Sequence, residues 1–215
     1  MSAVIDNLDV FWAGFRITLV LTFLSSALAL ALGTVIAAMR VSPVPPLQAA
    51  GTFYVETVRN VPAVVVFFFV VFGLPQVDIR LSFMTSAVVA LSVYYASFFC
   101  EAVRSGINSV QVGQAEAARS IGLTFGTSLR LVILPQAVRS VIPPLINVFI
   151  ALTKASAIAS AFGVAELLNG MERLATSESH AVIPILLTTG VLYLAITLPA
   201  GLIAHRIERK VAIAR

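Results

Sequence analysis

Charge is scarce in this chain of 215 residues. Asp, Glu, Lys and Arg make up 11% of it, against 59% hydrophobic residues and a mean hydropathy of +1.00. Soluble domains carry about 25% charge and about 45–50% apolar residues. A soluble core of this size cannot hide so much apolar surface, so lipid must be part of the solvent. Disorder is excluded on the same ground. Cysteine is nearly absent: Cys100 stands alone inside an apolar run, which excludes a disulfide framework and reads as a small core residue. Only two lysines occur, Lys154 and Lys210, and no G-x-x-x-x-G-K-[ST] phosphate loop is present, so an energy source, if used, must sit on another chain. His180 and His205 fall at the ends of apolar runs, too isolated for a metal constellation. The apolar runs also lack a Ser–Lys, paired Asp or His–Glu set, which argues against an intramembrane enzyme.

What the chain has is long stretches without charge. Ile17–Met39 is 23 residues, Asn60–Val77 is 18, Leu81–Cys100 is 20, and Ser179–His205 is 27; between Arg139 and Glu166 lie 26 residues with Lys154 as the single charge. About 20 apolar residues in a helix cross a bilayer core of about 30 Å. The runs are continuous rather than alternating, which favours helix over barrel strand. The expectation is an all-α membrane protein with five transmembrane helices, near 12–39, 50–74, 82–105, 139–161 and 182–205. A secretory signal is not expected at the start, since Asp6 and Asp9 replace a basic n-region and the first run is too long.

Basic residues orient the bundle. With the N-terminus outside, the inner segments hold nine: Arg40, Arg104, Arg119, Arg130, Arg139, Arg206, Arg209, Lys210 and Arg215. The outer segments hold two, Arg80 and Arg173. The expected organisation is an extracytoplasmic segment 1–11, a membrane domain 12–205 and a basic cytoplasmic tail 206–215. This asymmetry accounts for the pI of about 9.7 without nucleic acid. The outer stretch 162–181 predicts a short amphipathic helix, because Val164, Leu167, Leu168 and Met171 recur at helical spacing.

The long inner segment carries the clearest pattern. Within about 111–135, Val112, Ala115, Ala118 and Ile121 recur every three residues and predict a short helix with a small apolar stripe. Gly122 stands where such a helix would stop. A glycine-bounded surface helix of this kind suits docking into a groove on another protein.

The spacing Glu116-Ala117-Ala118, three residues, Gly122, nine residues, Val132-Ile133-Leu134-Pro135 resembles the EAA loop of ABC importer permeases, with Val132 where isoleucine is usual. The flanks resemble polar amino-acid permeases: Tyr94 to Gln114, Pro135-Gln136-Ala137, Val58–Pro62 and Phe72-Gly73-Leu74-Pro75. Ala117–Gly122, Pro135–Arg139, Ala151–Lys154 and Thr197–Leu202 are most similar to the actinobacterial glutamate permeases. One departure stands out. Many relatives have Lys-Asp-Thr-Ser in the fourth helix, and here the sequence is Lys154-Ala155-Ser156-Ala157.

The resemblance implies a type I importer: a second permease subunit completing the path, a dimer of ABC ATPases binding ATP and Mg, an extracytoplasmic amino-acid-binding protein, and a bacterial plasma membrane. No cofactor is expected on this chain. Glu116, Ala117, Ala118, Gly122, Leu134 and Pro135 would couple to the ATPase. For the substrate path the sequence suggests Lys154 with Thr153, Ser156 and Asn147, and Arg59 and Asn60 across from them, because charge inside a span faces protein or water. A Glu56–Arg59 pair would offset part of that burial cost. Pro62 would open the second helix, Pro143-Pro144 would shape the start of the fourth, and Pro199 would kink the fifth. The competing reading is an ATP-independent secondary transporter or channel subunit, in which the EAA spacing would be coincidence.

Overall fold

The computed structural model describes residues 2–213, and these contain helices and no strand. A short helix α1 (Ser2–Ile5) precedes α2 (Leu8–Val41), α3 (Pro45–Arg59) and α4 (Ala63–Phe68). The chain continues through α5 (Phe83–Asn108), α6 (Val112–Ser120), α7 (Phe125–Ser128), α8 (Leu134–Ala155), α9 (Leu167–Ser177) and α10 (Val182–Ile213). The long helices α2, α5 and α10 run in one direction and α8 in the other, with the α3–α4 segment returning between α2 and α5. The bundle therefore has two ends, one carrying α6 and the other α9.

Four segments are long and apolar enough to cross a membrane: Leu8–Val41, Phe83–Asn108, Phe125–Phe162 and Ser179–Arg209. The second expected crossing, 50–74, is not one helix. Pro45–Arg59 and Ala63–Val77 meet at 104° across Asn60–Pro62. Pro62 lacks an N–H, and its ring pushes Val61 out of helical geometry, so the break falls just before it. The other crossings exceed their sequence estimates because helices run on through polar ends. Pro143 and Pro144 lie inside α8 rather than at its start, and α10 passes through Pro199. Of the tail 206–215, residues up to Ile213 continue α10, while Ala214 and Arg215 lie outside the described residues.

Two Leu-Pro pairs are each preceded by a π turn. Phe69–Gly73 leads into Leu74-Pro75, and Leu129–Ile133 leads into Leu134-Pro135. In each the leucine N–H reaches five residues back, to the carbonyl of Phe69 or Leu129. A proline ring collides with the carbonyl four residues before it. Widening the turn by one residue removes that collision and keeps the helix continuous.

Lipid offers no hydrophobic drive between helices, so close packing and hydrogen bonds hold the bundle. At Gly33 an added Cβ would stand 2.7 Å from the Ala96 carbonyl oxygen, so α2 and α5 touch backbone to backbone. At Gly106 it would stand 2.0 Å from Val141 Cγ2, the same device between α5 and α8. Tyr95 donates to the Ala151 carbonyl at 3.0 Å and Tyr54 to that of Val93 at 2.6 Å. Leu21, Phe67, Leu91, Leu152 and Phe162 fill the main core. Cys100 is buried with Ile36, Ala37 and Val55 near the α6 end. At the other end α1, α2, α9 and α10 share a second core around Phe11, Leu167, Leu174 and Ile185. The expected amphipathic helix is α9, with Leu167 and Leu174 turned inward.

Candidate functional site

The segment from 111 to 135 forms the predicted helix and its stop. Gln111 is extended, α6 occupies Val112–Ser120, and Gly122 adopts a positive φ of 84°. The Gly122 and Leu123 amides donate to the Arg119 and Ala118 carbonyls at 3.0 and 3.1 Å, closing the helix end. No atom would meet a Cβ at Gly122, so its need for glycine is conformational alone. Thr124 then caps α7 by accepting from the Thr127 amide at 3.4 Å. The expected apolar stripe splits. Ala118 is buried and Ala115 half-buried against the chain, while Val112 and Ile121 are 73% and 76% exposed. Phe125 and Leu131 are exposed beside them. Glu116 and Ala117 are also exposed, and Glu116 has no ion pair among the described residues. Gln136 donates to Gln114 at 3.4 Å, tying α6 to the first turn of α8, where Leu134 and Pro135 are exposed. This end of the molecule presents exposed apolar side chains interspersed with the Glu116 carboxylate and the Arg119 and Arg130 guanidinium groups, the character of a protein-binding patch.

Behind it lies a charge cluster that the sequence reading did not assemble. Glu101 of α5 accepts from Arg40 of α2, from Arg104 at 2.9 Å, and lies 3.7 Å from Arg59 at the end of α3. The Arg59 guanidinium also sits 5.2 Å from the Phe98 ring centroid, within cation–π range. Arg59 therefore pairs with Glu101, not with Glu56 as its i, i+3 spacing suggested. Asn60 turns back to donate to the Glu56 carbonyl at 2.6 Å. The signal was present in the sequence: Arg40 and Glu101 each close an apolar run at the same end of the bundle.

The proposed path residues divide over two faces of α8. Thr153 and Ser156 are buried and donate to the Phe149 and Thr153 carbonyls at 2.8 and 2.7 Å. Asn147 and Lys154 are exposed, and with Ser140 they recur every seventh residue, nearly two full turns, on one side of the helix. Lys154 has no carboxylate partner among the described residues, and no hydrogen bond or ion pair there joins Arg59 or Asn60 to it. The expected single cluster is thus a polar stripe on α8 and a separate arginine group at the helix break.

At the α9 end Glu166 is fully buried. Its carboxylate accepts from Tyr193 of α10 at 2.8 Å, from the Asn169 amide at 2.9 Å and from Thr18 of α2 at 3.3 Å. Thr18 in turn accepts from the Leu167 amide at 3.1 Å. One side chain caps α9 and joins it to two crossings. Burial pushes the Glu166 carboxyl up from its ordinary value, against the pull of these hydrogen bonds. Sequence reading passed over Glu166 because one carboxylate after an apolar run looks like an ordinary surface charge.

Residues 29–213 match the family described as binding-protein-dependent transport system inner membrane component. The chain is 41% identical to the glutamate transport system permease protein GluC of Corynebacterium glutamicum, over 93% of this chain and 92% of that one. It is 37% identical to the probable glutamine ABC transporter permease protein GlnM of Bacillus subtilis, over 98% and 97%. A crystal structure of an amino acid ABC transporter superposes with a TM-score of 0.88 at 31% identity, covering 96% of each chain. With its apolar crossings and that fold, the chain belongs to the inner-membrane components of binding-protein-dependent transport systems, as a multi-pass permease subunit of the amino-acid ABC type.

Proposed function

We propose that this chain forms half of the translocation path of an ATP-driven importer of acidic amino acids, glutamate foremost. A second, related permease completes the path, an extracytoplasmic binding protein delivers the substrate, and a dimeric ATPase holding ATP and Mg engages α6. The N-terminus lies outside and the C-terminus in the cytoplasm, in keeping with the nine-to-two basic asymmetry. Glu116 pairs with a basic groove on the ATPase, and Ala117 and Ala118 allow close approach.

The observation that carries the substrate assignment is Lys154, an exposed cation on the polar stripe of α8 with no carboxylate beside it among the described residues. Glutamate carries two carboxylates and one ammonium, and its passage through low dielectric calls for compensating positive charge. Ala155 leaves that charge without a neighbouring acid. The glutamate relative supports the same substrate, while the glutamine relative favours an uncharged amide as a second reading.

The test is uptake in proteoliposomes holding the ATPase, both permeases and the binding protein. Lys154→Met keeps length and removes charge. Glutamate uptake should fall about tenfold, the effect of ~1.4 kcal/mol lost from the barrier-crossing state, with complex assembly and basal ATP hydrolysis unchanged. Unchanged glutamate uptake, or an equal loss for glutamine, would remove the charge-selectivity argument. Loss of assembly would make Lys154 a packing residue. Uptake driven without ATP would remove the importer reading itself.

A further inference from the structure

A groove of about 570 Å³ opens on the side of the bundle near the α9 end, between α2, the start of α5 and the loop before α9. Its walls are apolar, with Ile17, Val20, Phe83, Met84 and Val164 among them. Among the described residues, Arg16 is the only charged side chain lining it. Arg16 is exposed and has no carboxylate partner among the described residues. Its counterpart at the other end of the same charge-free run, Arg40, is neutralised by Glu101.

Depth gives the groove its meaning. Arg16 and Arg40 bracket the 23 residues Ile17–Met39, about 34 Å of helix at ~1.5 Å per residue. That length matches the hydrocarbon core of a bilayer, about 30 Å. Arg16 therefore stands at the level of the lipid phosphates, and the groove runs from it into the acyl region. One turn before Arg16, Trp12 is 60% exposed and stacks on Phe15 at 5.9 Å, the aromatic marking expected of that same boundary.

We propose that this groove binds an anionic diacyl phospholipid, with its phosphate on the Arg16 guanidinium and one acyl chain along Ile17, Val20, Phe83 and Met84. Charge selects the occupant. The guanidinium calls for a phosphate that is not already neutralised by its own headgroup ammonium, and the walls below it offer nothing to a polar ligand. The proposal is independent of which amino acid the permease carries.

The full chain purified in detergent is examined by native mass spectrometry after adding phosphatidylglycerol or phosphatidylcholine of identical acyl composition. The wild type should retain phosphatidylglycerol preferentially. Arg16→Gln should reduce that preference about fivefold, the factor expected of one arginine at a charged membrane surface, and Arg16→Lys should keep most of it. Val20→Trp, which fills the groove without touching the charge, should lower the occupancy of both lipids. Equal retention of the two lipids by the wild type, or an undiminished preference in Arg16→Gln, overturns the proposal. So does a Val20→Cys variant that cross-links in membranes to another permease chain, since the groove is then a protein interface.

Discussion

Glu101 holds three arginines with one carboxylate. Its removal leaves Arg40 and Arg104 partly buried beside each other with no anion between them. Glu101→Ala should therefore cost about 2–3 kcal/mol, read as a lower melting temperature in detergent, and Glu101→Ala/Arg104→Gln should recover part of the loss. A double variant no more stable than Glu101→Ala would show that repulsion is not the cause. Glu166 makes a prediction of opposite kind, in pH. Its carboxyl is raised in the folded state and faces the Tyr193 hydroxyl and neutral donors, with no ion-pair partner among the described residues. Such a group adds stability that is fully present below the ordinary carboxylate value and is lost as pH rises through the folded value. The melting temperature of the wild type, relative to Glu166→Gln, should fall as pH rises across that window. A difference that does not change with pH would contradict the assignment. Single residues were the scale least legible in the sequence. Glu116 and Gly122 stood out because they sit at fixed spacings within one short segment, whereas Glu101 and Glu166 gain their contacts from helices far away in the chain.

Among the elements, α6 was the most legible, since its stop is encoded locally. Gly122 at a φ of 84° lies where a Cβ costs about 1–2 kcal/mol and valine still more. With open space around it, Gly122→Val should leave bundle stability nearly unchanged while the ATPase co-purifies poorly. Gly122→Asn, which tolerates that backbone, should be milder. Glu116→Lys should reduce co-purification by reversing one charge on the exposed face. Normal co-purification and normal uptake in both Gly122→Val and Glu116→Lys would separate α6 from the ATPase. The second crossing was the least legible element. Its apolar count is sufficient for a span, and hydropathy takes no account of the 104° bend that Pro62 introduces. The stripe on α6 misled for a related reason: period alone does not distinguish a face packed on its own chain from one left for another.

At the scale of the molecule, the count of crossings was legible because a bilayer imposes length on every one of them. An odd number, with the bent pair taken as one, places α1 and the end of α10 on opposite sides. Cys100 is the only cysteine and is buried, so single-cysteine labelling starts from a clean background. In intact cells an impermeant reagent should label His180→Cys and spare Gln111→Cys; the reverse pattern would invert the bundle. The π turn at Leu129–Ile133 sets where the α6 end points. It holds one residue more than a regular turn, and each residue of a helix is worth about 100° of rotation. Everything before Leu129, α6 included, is therefore dialled about a quarter-turn and more from where an unbroken helix would carry it. Deleting a single residue there would spare the crossings, yet aim Glu116 at a different compass bearing.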